Sequence, residues 1–140
     1  MLGPSLHKLD AHRSIHDGAV TEGKELMEVL EKVYKERHEK HSLIAAKVLI
    51  EHWETRTLAH AETEEEGLYK RKMEEDPELT TTITNLIRDH DILRILVKDI
   101  KRLLQENGVN DDVIDRFKAF SVLVQIHNRE EEKYLFDEHS

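Results

Sequence analysis

The sequence predicts an all-α fold, an antiparallel up-down four-helix bundle, on three observations. Charged residues make up 36% of the 140 residues, with only 5 Gly and 2 Pro, a composition that favours long helices over strands. Apolar residues recur at helical spacing in four long segments. The connections between these segments are short, so neighbouring helices are expected to run antiparallel. Because this length suits one hydrophobic core, residues 1–140 are expected to form a single domain.

The first predicted helix runs from about Leu6 to about His38 and follows Gly3 and Pro4. Steps of three and four residues place its apolar side chains on one face. The break that follows, around RHEKHS, contains neither Gly nor Pro, so only the change of pattern marks it. The apolar face is formed by Ala19, Val20, Leu26, Met27, Leu30 and Val33.

The second predicted helix begins near Ser42, whose hydroxyl suits an N-cap. It ends at EEDPEL, because Pro77 disfavours helical geometry at Asp76. Its apolar face is expected to include Leu43, Ala46, Leu49, Trp53, Leu58 and Leu68.

The third predicted helix follows the threonines at 80–82 and stops at ENGVND, where Asn107 and Gly108 form a C-cap signal. The fourth opens at Asp111 or Asp112 and carries apolar residues at helical spacing as far as Leu135.

Charge and hydropathy exclude several classes of partner. A formal charge of −9 leaves no basic stripe for phosphates, so neither nucleic acid nor an anionic membrane is an expected partner. No apolar run has the length of a membrane span, and residues 1–17 lack the apolar centre of a signal peptide. A soluble, cytoplasmic protein is therefore expected. The chain has no Cys, so any metal must be held by nitrogen and oxygen ligands.

A ten-residue pattern occurs twice, as HAETEEEGLY at 60–69 and as HNREEEKYLF at 127–136. Both copies have a His, acids four and five residues later, then a Leu and an aromatic residue. In a helix, residues four apart share a face. Stepping back along each helix from His60 and His127 meets apolar residues, so both His-x-x-x-Glu pairs are expected to face the core.

The two remaining helices each add one inward His. His90 lies between apolar residues of the third helix, and SIHD around His16 resembles RDHD around His90. Burying two carboxylates without partners would cost several kcal/mol each, so a compensating cation is the simplest explanation. The sequence predicts a site for two divalent metals, with six candidate ligands: His16, His60, Glu64, His90, His127 and Glu131.

Alternatives without a metal exist for each element of this pattern. A single inward His is more often a hydrogen-bonded core residue, and an exposed His-x-x-x-Glu pair contributes only about 0.3–0.5 kcal/mol. Two copies with the same Leu and aromatic residue favour the metal interpretation. Neighbouring acids are assigned to solvent or to contacts behind the ligands: Glu65, Glu66, Glu130 and Glu132. The other His residues are assigned to the surface or its boundary: His7, His38, His41, His52 and His139.

On these residues the chain resembles the hemerythrin, or HHE cation-binding, domain, a four-helix bundle with a non-haem di-iron centre. The resemblance covers nearly the whole chain. It implies terminal iron ligands at His16, His60, His90 and His127, carboxylates of Glu64 and Glu131 that bridge the two irons, and an oxo, hydroxo or water bridge. Imidazole and carboxylate also suit manganese or zinc, so ligand type alone does not select iron.

The sequence departs from the oxygen-carrying hemerythrins at two places. Those proteins have a second His four residues after the helix-three ligand, where this chain has Arg94, and an Asp five residues after the last His, where it has Glu132. The pattern is closer to bacterial proteins that repair or supply iron centres under nitric oxide stress and to iron- or oxygen-sensing domains. Some of these recruit a further ligand, for which His12, His38 and His41 are candidates. His12 is also the rival of His16 for the helix-one position.

Two functions from different classes follow from the resemblance. The first is a di-iron protein that binds, senses or scavenges dioxygen or nitric oxide, with iron handling or stress response as its setting. Sensing would require a protein partner. The second is a di-iron oxidase or peroxidase-like enzyme. A third interpretation is a structural bundle with zinc or without metal. Glu65 and Glu132 lie one residue from the predicted ligands, about 100° off the inward face, so their replacement is expected to leave metal content unchanged.

Overall fold

The computed structural model describes the backbone of residues 4–136 and the side chains of residues 10–136. The described residues form four helical rods, so the prediction of an all-α bundle is confirmed. The first, third and fourth rods are single helices, and the second is composite. In chain order the elements are α1 Pro4–Lys35, α2 Glu39–His52, a π-helix Trp53–Leu58, α3 Ala59–Glu66, α4 Leu68–Glu75, a 3₁₀ turn Pro77–Leu79, α5 Thr80–Asn107 and α6 Asp111–Phe136.

The rods pack around one large apolar cluster to which all four contribute, with Leu30, Leu49, Ile100 and Phe117 fully buried at its centre. A smaller cluster lies nearer the start of α5 and the end of α6. It comprises Tyr69, Ile83, Leu86, Leu135 and Phe136. Buried polar side chains lie between the two clusters. Within residues 4–136, no helix combines the length and the apolarity needed to cross a bilayer.

The α1–α2 connection differs from the sequence prediction. Arg37 adopts a left-handed conformation with φ 62°, while the N–H of His38 donates to the Val33 carbonyl at 3.0 Å and that of Arg37 to Tyr34 at 3.0 Å. These bonds form a Schellman end without a glycine. Helix α2 then begins at Glu39, so the prediction of Ser42 as N-cap is wrong. Ser42 is buried inside α2 instead.

The second rod was predicted as one continuous helix but is interrupted twice. The π-helix Trp53–Leu58 inserts extra residues into the turns before the site. One extra residue rotates all following side chains by about 100°. Gly67 then separates α3 from α4 with φ −115° and ψ −82°. A Cβ there would lie 3.3 Å from the Thr63 carbonyl oxygen, so the break favours glycine. These two interruptions determine which side chains reach the bundle core from this rod.

Candidate metal centre

Five His and two Glu side chains converge in the bundle core, and they include all six residues predicted as ligands. Their donor atoms form two groups, each with atoms within 4.8 Å of one another. The first group comprises His12, His16, His60 and Glu64, and the second comprises Glu64, His90, His127 and Glu131. All are buried except His60, whose side chain is 23% exposed. Glu64 belongs to both groups.

The Glu64 carboxylate lies between the two groups. Its Oε2 is 3.0 Å from His12 Nε2 and 3.6 Å from His60 Nε2. Its Oε1 is 3.5 Å from His90 Nε2. One oxygen therefore faces each group.

Glu131 has the same arrangement from the opposite side. Its Oε1 contacts His12 Nε2 and lies 3.4 Å from His16 Nε2. Its Oε2 is 3.1 Å from His127 Nε2. Both carboxylates are thus placed to join two cations, one in each group.

The second group brings two imidazole nitrogens together in a way that suits a cation. His90 Nδ1 lies 2.9 Å from Glu65, and His127 Nδ1 lies 2.8 Å from Asp89. A carboxylate only accepts, so each Nδ1 donates and each neutral imidazole has a bare lone pair on Nε2. These two Nε2 atoms are 3.0 Å apart. Facing lone pairs repel unless a proton or a metal ion lies between them.

In the first group, buried His60 Nε2 has no hydrogen-bond partner within the described part of the chain, and Glu64 Oε2, although 3.0 Å from His12 Nε2, makes no contact with hydrogen-bond geometry. Leaving buried polar atoms unpaired costs about 1–3 kcal/mol each, and more when a charge is involved. A cation bound by both would remove this cost. Since the donors are imidazole and carboxylate, the residues present fit iron, manganese or zinc.

Without a metal, the carboxylates control the protonation of the imidazoles. Burial disfavours the charged form of His12, but Glu131 and Glu64 outweigh burial and raise its pKa to about 9. Burial likewise opposes protonation of His127, yet Asp89 and Glu131 raise its pKa to about 9. For His16 burial dominates and lowers the pKa to about 3. Although burial opposes ionisation of Glu131, hydrogen bonds from its neighbours, including His12 and His127, hold its pKa well below the usual range.

The acid five residues after each repeat His contacts a core imidazole from behind. Glu65 accepts from His90 Nδ1 and is paired with Arg94 Nη2 at 2.5 Å. Glu132 lies 3.4 Å from His16 Nδ1 and 3.5 Å from Arg13. From the sequence, Glu65 and Glu132 were expected either to face solvent or to contact the ligands from behind. In the structure both contact a core imidazole from behind. From these contacts we now expect their replacement to weaken metal binding, where helical spacing alone predicted unchanged metal content.

Two residues at the site were not singled out from the sequence. Tyr69 is fully buried; its O–H donates to Glu131 Oε2 and its oxygen lies 3.4 Å from His90 Nε2. Burial, with the negative charges of Glu131 and Glu64, raises the Tyr69 pKa far above its usual range, so the metal-free phenol keeps its proton. Asp89 is the second such residue, and it orients His127 by accepting a hydrogen bond from its Nδ1. The sequence offered one signal for each residue: Tyr69 is the aromatic position of the repeat, and Asp89 precedes His90 in the RDHD stretch.

The structure also gives the positions of the His residues that the sequence did not assign as ligands. His12 and His16 both belong to the first group, so they are not alternatives for one position. His38 and His41 are exposed in the α1–α2 region, outside both groups. His52 lies at the boundary rather than on the surface, because the residue is partly buried and its ring donates to the Ala19 carbonyl at 3.0 Å. The side chains of His7 and His139 lie outside the described residues.

A cavity of about 20 Å³ borders both groups. Its polar wall includes His16, His60, His90 and His127, and its apolar wall includes Leu93. A space of about 10–15 Å³ holds one water molecule, so the cavity accepts a ligand of only a few atoms. Because donors of both groups line this cavity, it lies at the centre itself and leaves room there for only a few atoms.

We expect Asp89→Asn to lower metal affinity about 10–100-fold without abolishing binding, because the carboxylate that orients His127 would be lost while every donor in the two groups remains. Isothermal titration of the metal-free protein with a divalent ion measures this. Asp99→Asn, an exposed change on the same helix, is the control and should bind as the wild type does. Equal affinities of the two variants would contradict the role given to Asp89.

A family model described as hemerythrin HHE cation binding domain matches residues 7–138. The corresponding searches of curated proteins and of solved structures gave no match.

Proposed function

The chain belongs to the hemerythrin HHE cation-binding domain family, and on that basis we propose that its core holds two iron ions and binds dioxygen or nitric oxide, which the protein carries, senses or scavenges. In this proposal residues 1–140 form one domain. The proposed ligands are His16, His60, Glu64, His90, His127 and Glu131, joined by His12, which shares the first group with His16.

The observation that carries the proposal is the placement of the two carboxylates. Glu64 and Glu131 each have one oxygen among the donors of the first group and the other among those of the second. A carboxylate that served a single cation, or none, would not need both oxygens among imidazole nitrogens. Two cations joined by two carboxylates account for both orientations.

The small cavity supports a ligand of two or three atoms. It borders imidazoles of both groups, and at about 20 Å³ it is too small for an organic substrate. Iron held by these residues would supply reversible one-electron chemistry and a coordination position for a diatomic molecule. The protein holds the ions with buried donors, and its apolar wall at Leu93 and Val124 limits access of water.

A di-iron oxidase or peroxidase-like enzyme is the second candidate, favoured by one observation. The O–H of Tyr69 lies at the edge of the second group, where the phenol would be placed to supply a proton in the reduction of dioxygen or peroxide. A binding protein and an enzyme can be distinguished by whether the ligand is consumed. Repeated cycles with stoichiometric spectra support a binding protein, whereas continuous consumption of dioxygen or peroxide with a reductant supports an enzyme.

The test of the proposed function is metal content after anaerobic reconstitution. We expect close to two irons per chain by elemental analysis, with near-ultraviolet absorption from the ferric centre, and spectral changes when the reduced protein meets nitric oxide or dioxygen. The control is a chain with both bridging carboxylates replaced, Glu64→Ala with Glu131→Ala, which should hold no iron. A wild-type protein that retains less than one iron per chain after reconstitution would refute the proposal.

A further inference from the structure

We propose that the phenol oxygen of Tyr69 is an additional protein ligand of the second metal ion, which makes the two halves of the centre equal in donor number. This inference rests on the proposed function, because it requires a metal in the second group. It assigns Tyr69 a role beyond the six residues predicted from the sequence. The ion that a phenolate oxygen would bind at this position is a hard, oxygen-preferring ion such as ferric iron.

The protein donors are distributed unequally between the two groups. Three imidazoles, those of His12, His16 and His60, face the first group together with one oxygen each from Glu64 and Glu131. The second group has the other two carboxylate oxygens but only two imidazoles. Without a further residue the second ion has one protein donor fewer than the first.

Tyr69 lies where the missing donor would be. Its oxygen contacts Glu131 Oε2 and is 3.4 Å from His90 Nε2, two of the atoms that face the second ion. The side chain is fully buried, and its ring is stacked on that of His90 at 5.6 Å between centroids and 10° between planes. The phenol is thus held among the donors of the second group.

The internal repeat also distinguishes these two residues, because each of the extra donors has an apolar residue at the equivalent position of the second copy. The aromatic position of the repeat is Tyr69 in one copy and Phe136 in the other. Aligning His16 with His90 places His12 opposite Leu86. Each donor packs against the apolar equivalent of the other: the ring centroids of His12 and Phe136 are 4.8 Å apart, and Tyr69 lies with Leu86 in one apolar cluster.

Each group of donors thus has one extra donor, His12 of α1 in the first group and Tyr69 of α4 in the second, and both residues belong to the first copy of the repeat. Both extra donors contact Glu131, His12 at Oε1 and Tyr69 at Oε2. A phenol that served only to satisfy the buried carboxylate has no reason to lie beside the His90 lone pair. Ligation replaces the O–H bond of Tyr69 with an oxygen–metal bond, and the proton passes to the buffer.

The test is spectroscopy of the ferric protein with tyrosine variants. A phenolate bound to ferric iron gives a visible charge-transfer band and enhanced phenolate vibrations in resonance Raman spectra. We expect both in the wild type, and we expect Tyr69→Phe to lose both while it still holds two irons. The controls replace the other two tyrosines, Tyr34→Phe and Tyr134→Phe, and should keep both signals; Tyr34 bonds Asp111 and Tyr134 is exposed.

The wild-type spectrum decides the proposal even if Tyr69→Phe does not fold. Wild-type protein with two ferric ions and no phenolate signal would overturn the role of Tyr69 and leave the di-iron proposal intact. Persistence of the signal in Tyr69→Phe would also overturn it. A wild type that binds no iron would refute both proposals, so elemental analysis of the same sample separates the two failures.

Discussion

Glu131→Ala is expected to abolish tight binding of both metal ions, and Glu64→Ala to do the same, whereas His90→Ala should weaken mainly one. Each carboxylate has an oxygen in each group, while the His90 Nε2 atom faces only the second. Loss of a contact behind a ligand already costs about 10–100-fold in affinity. Loss of a shared ligand should therefore exceed about 100-fold at both positions.

The measurement is metal titration of the metal-free variants, with the two binding steps resolved and the final content determined by elemental analysis. Glu62→Ala is the matched control, because Glu62 is an exposed acid on the same short helix as Glu64. It should bind two ions with wild-type affinity. If Glu131→Ala or Glu64→Ala lost only one ion, that carboxylate would not join the two groups.

Removal of the metal is expected to lower the melting temperature substantially. An ion that binds only the folded state at about 100 times its dissociation constant adds about 2.7 kcal/mol to the free energy of unfolding. Two such ions would add about twice that, and a change of 1 kcal/mol moves the melting temperature of a domain this size by a few degrees. The donors come from α1, α3, α5 and α6, so binding and folding are linked across the bundle.

The difference between the metal-bound and metal-free forms should widen as the pH rises from about 6.5 to about 9. In the metal-free fold the pKa values of His12 and His127 are raised from 6.5 to about 9. A raised pKa stabilises the fold fully below the unfolded value, and this stabilisation is lost as pH rises through the folded value. The pKa of His16 is lowered to about 3, so it destabilises the fold only as the pH falls below 6.5 and has no effect on stability between 6.5 and 9.

The metal-bound form responds in the opposite sense, because a metal requires unprotonated imidazoles and its affinity increases with pH. Thermal melts of both forms, followed by far-ultraviolet circular dichroism from pH 6.5 to 9, measure the difference. Zinc loading gives a control without redox chemistry. A metal-free protein that melts at the same temperature as the loaded one would show that these donors do not share an ion.

The parts of the site that lie on an uninterrupted helix were well predicted from the sequence. Helix α6 runs from Asp111 to Phe136 without a break, so spacing alone places His127 and Glu131 on one face. The second rod was predicted less completely. Its π-helix lies where Trp53 stacks on Phe120 at 3.7 Å and where Gly23 allows α1 to approach. Such packing involves residues distant in sequence, so local spacing does not reveal it.

By itself, the sequence determined the donor chemistry and the helix faces. Without Cys, the repeated His-x-x-x-Glu pattern specified imidazole and carboxylate, and the 3.6-residue period of a helix directed them inward. Only the tertiary structure decided that His12 joins His16, that Tyr69 reaches Glu131 while Phe136 packs on His12, and which carboxylate oxygen faces which group. Spacing fixes the direction of a side chain around its own helix axis, but the distances between donors on different helices depend on how those helices pack, kink and cross.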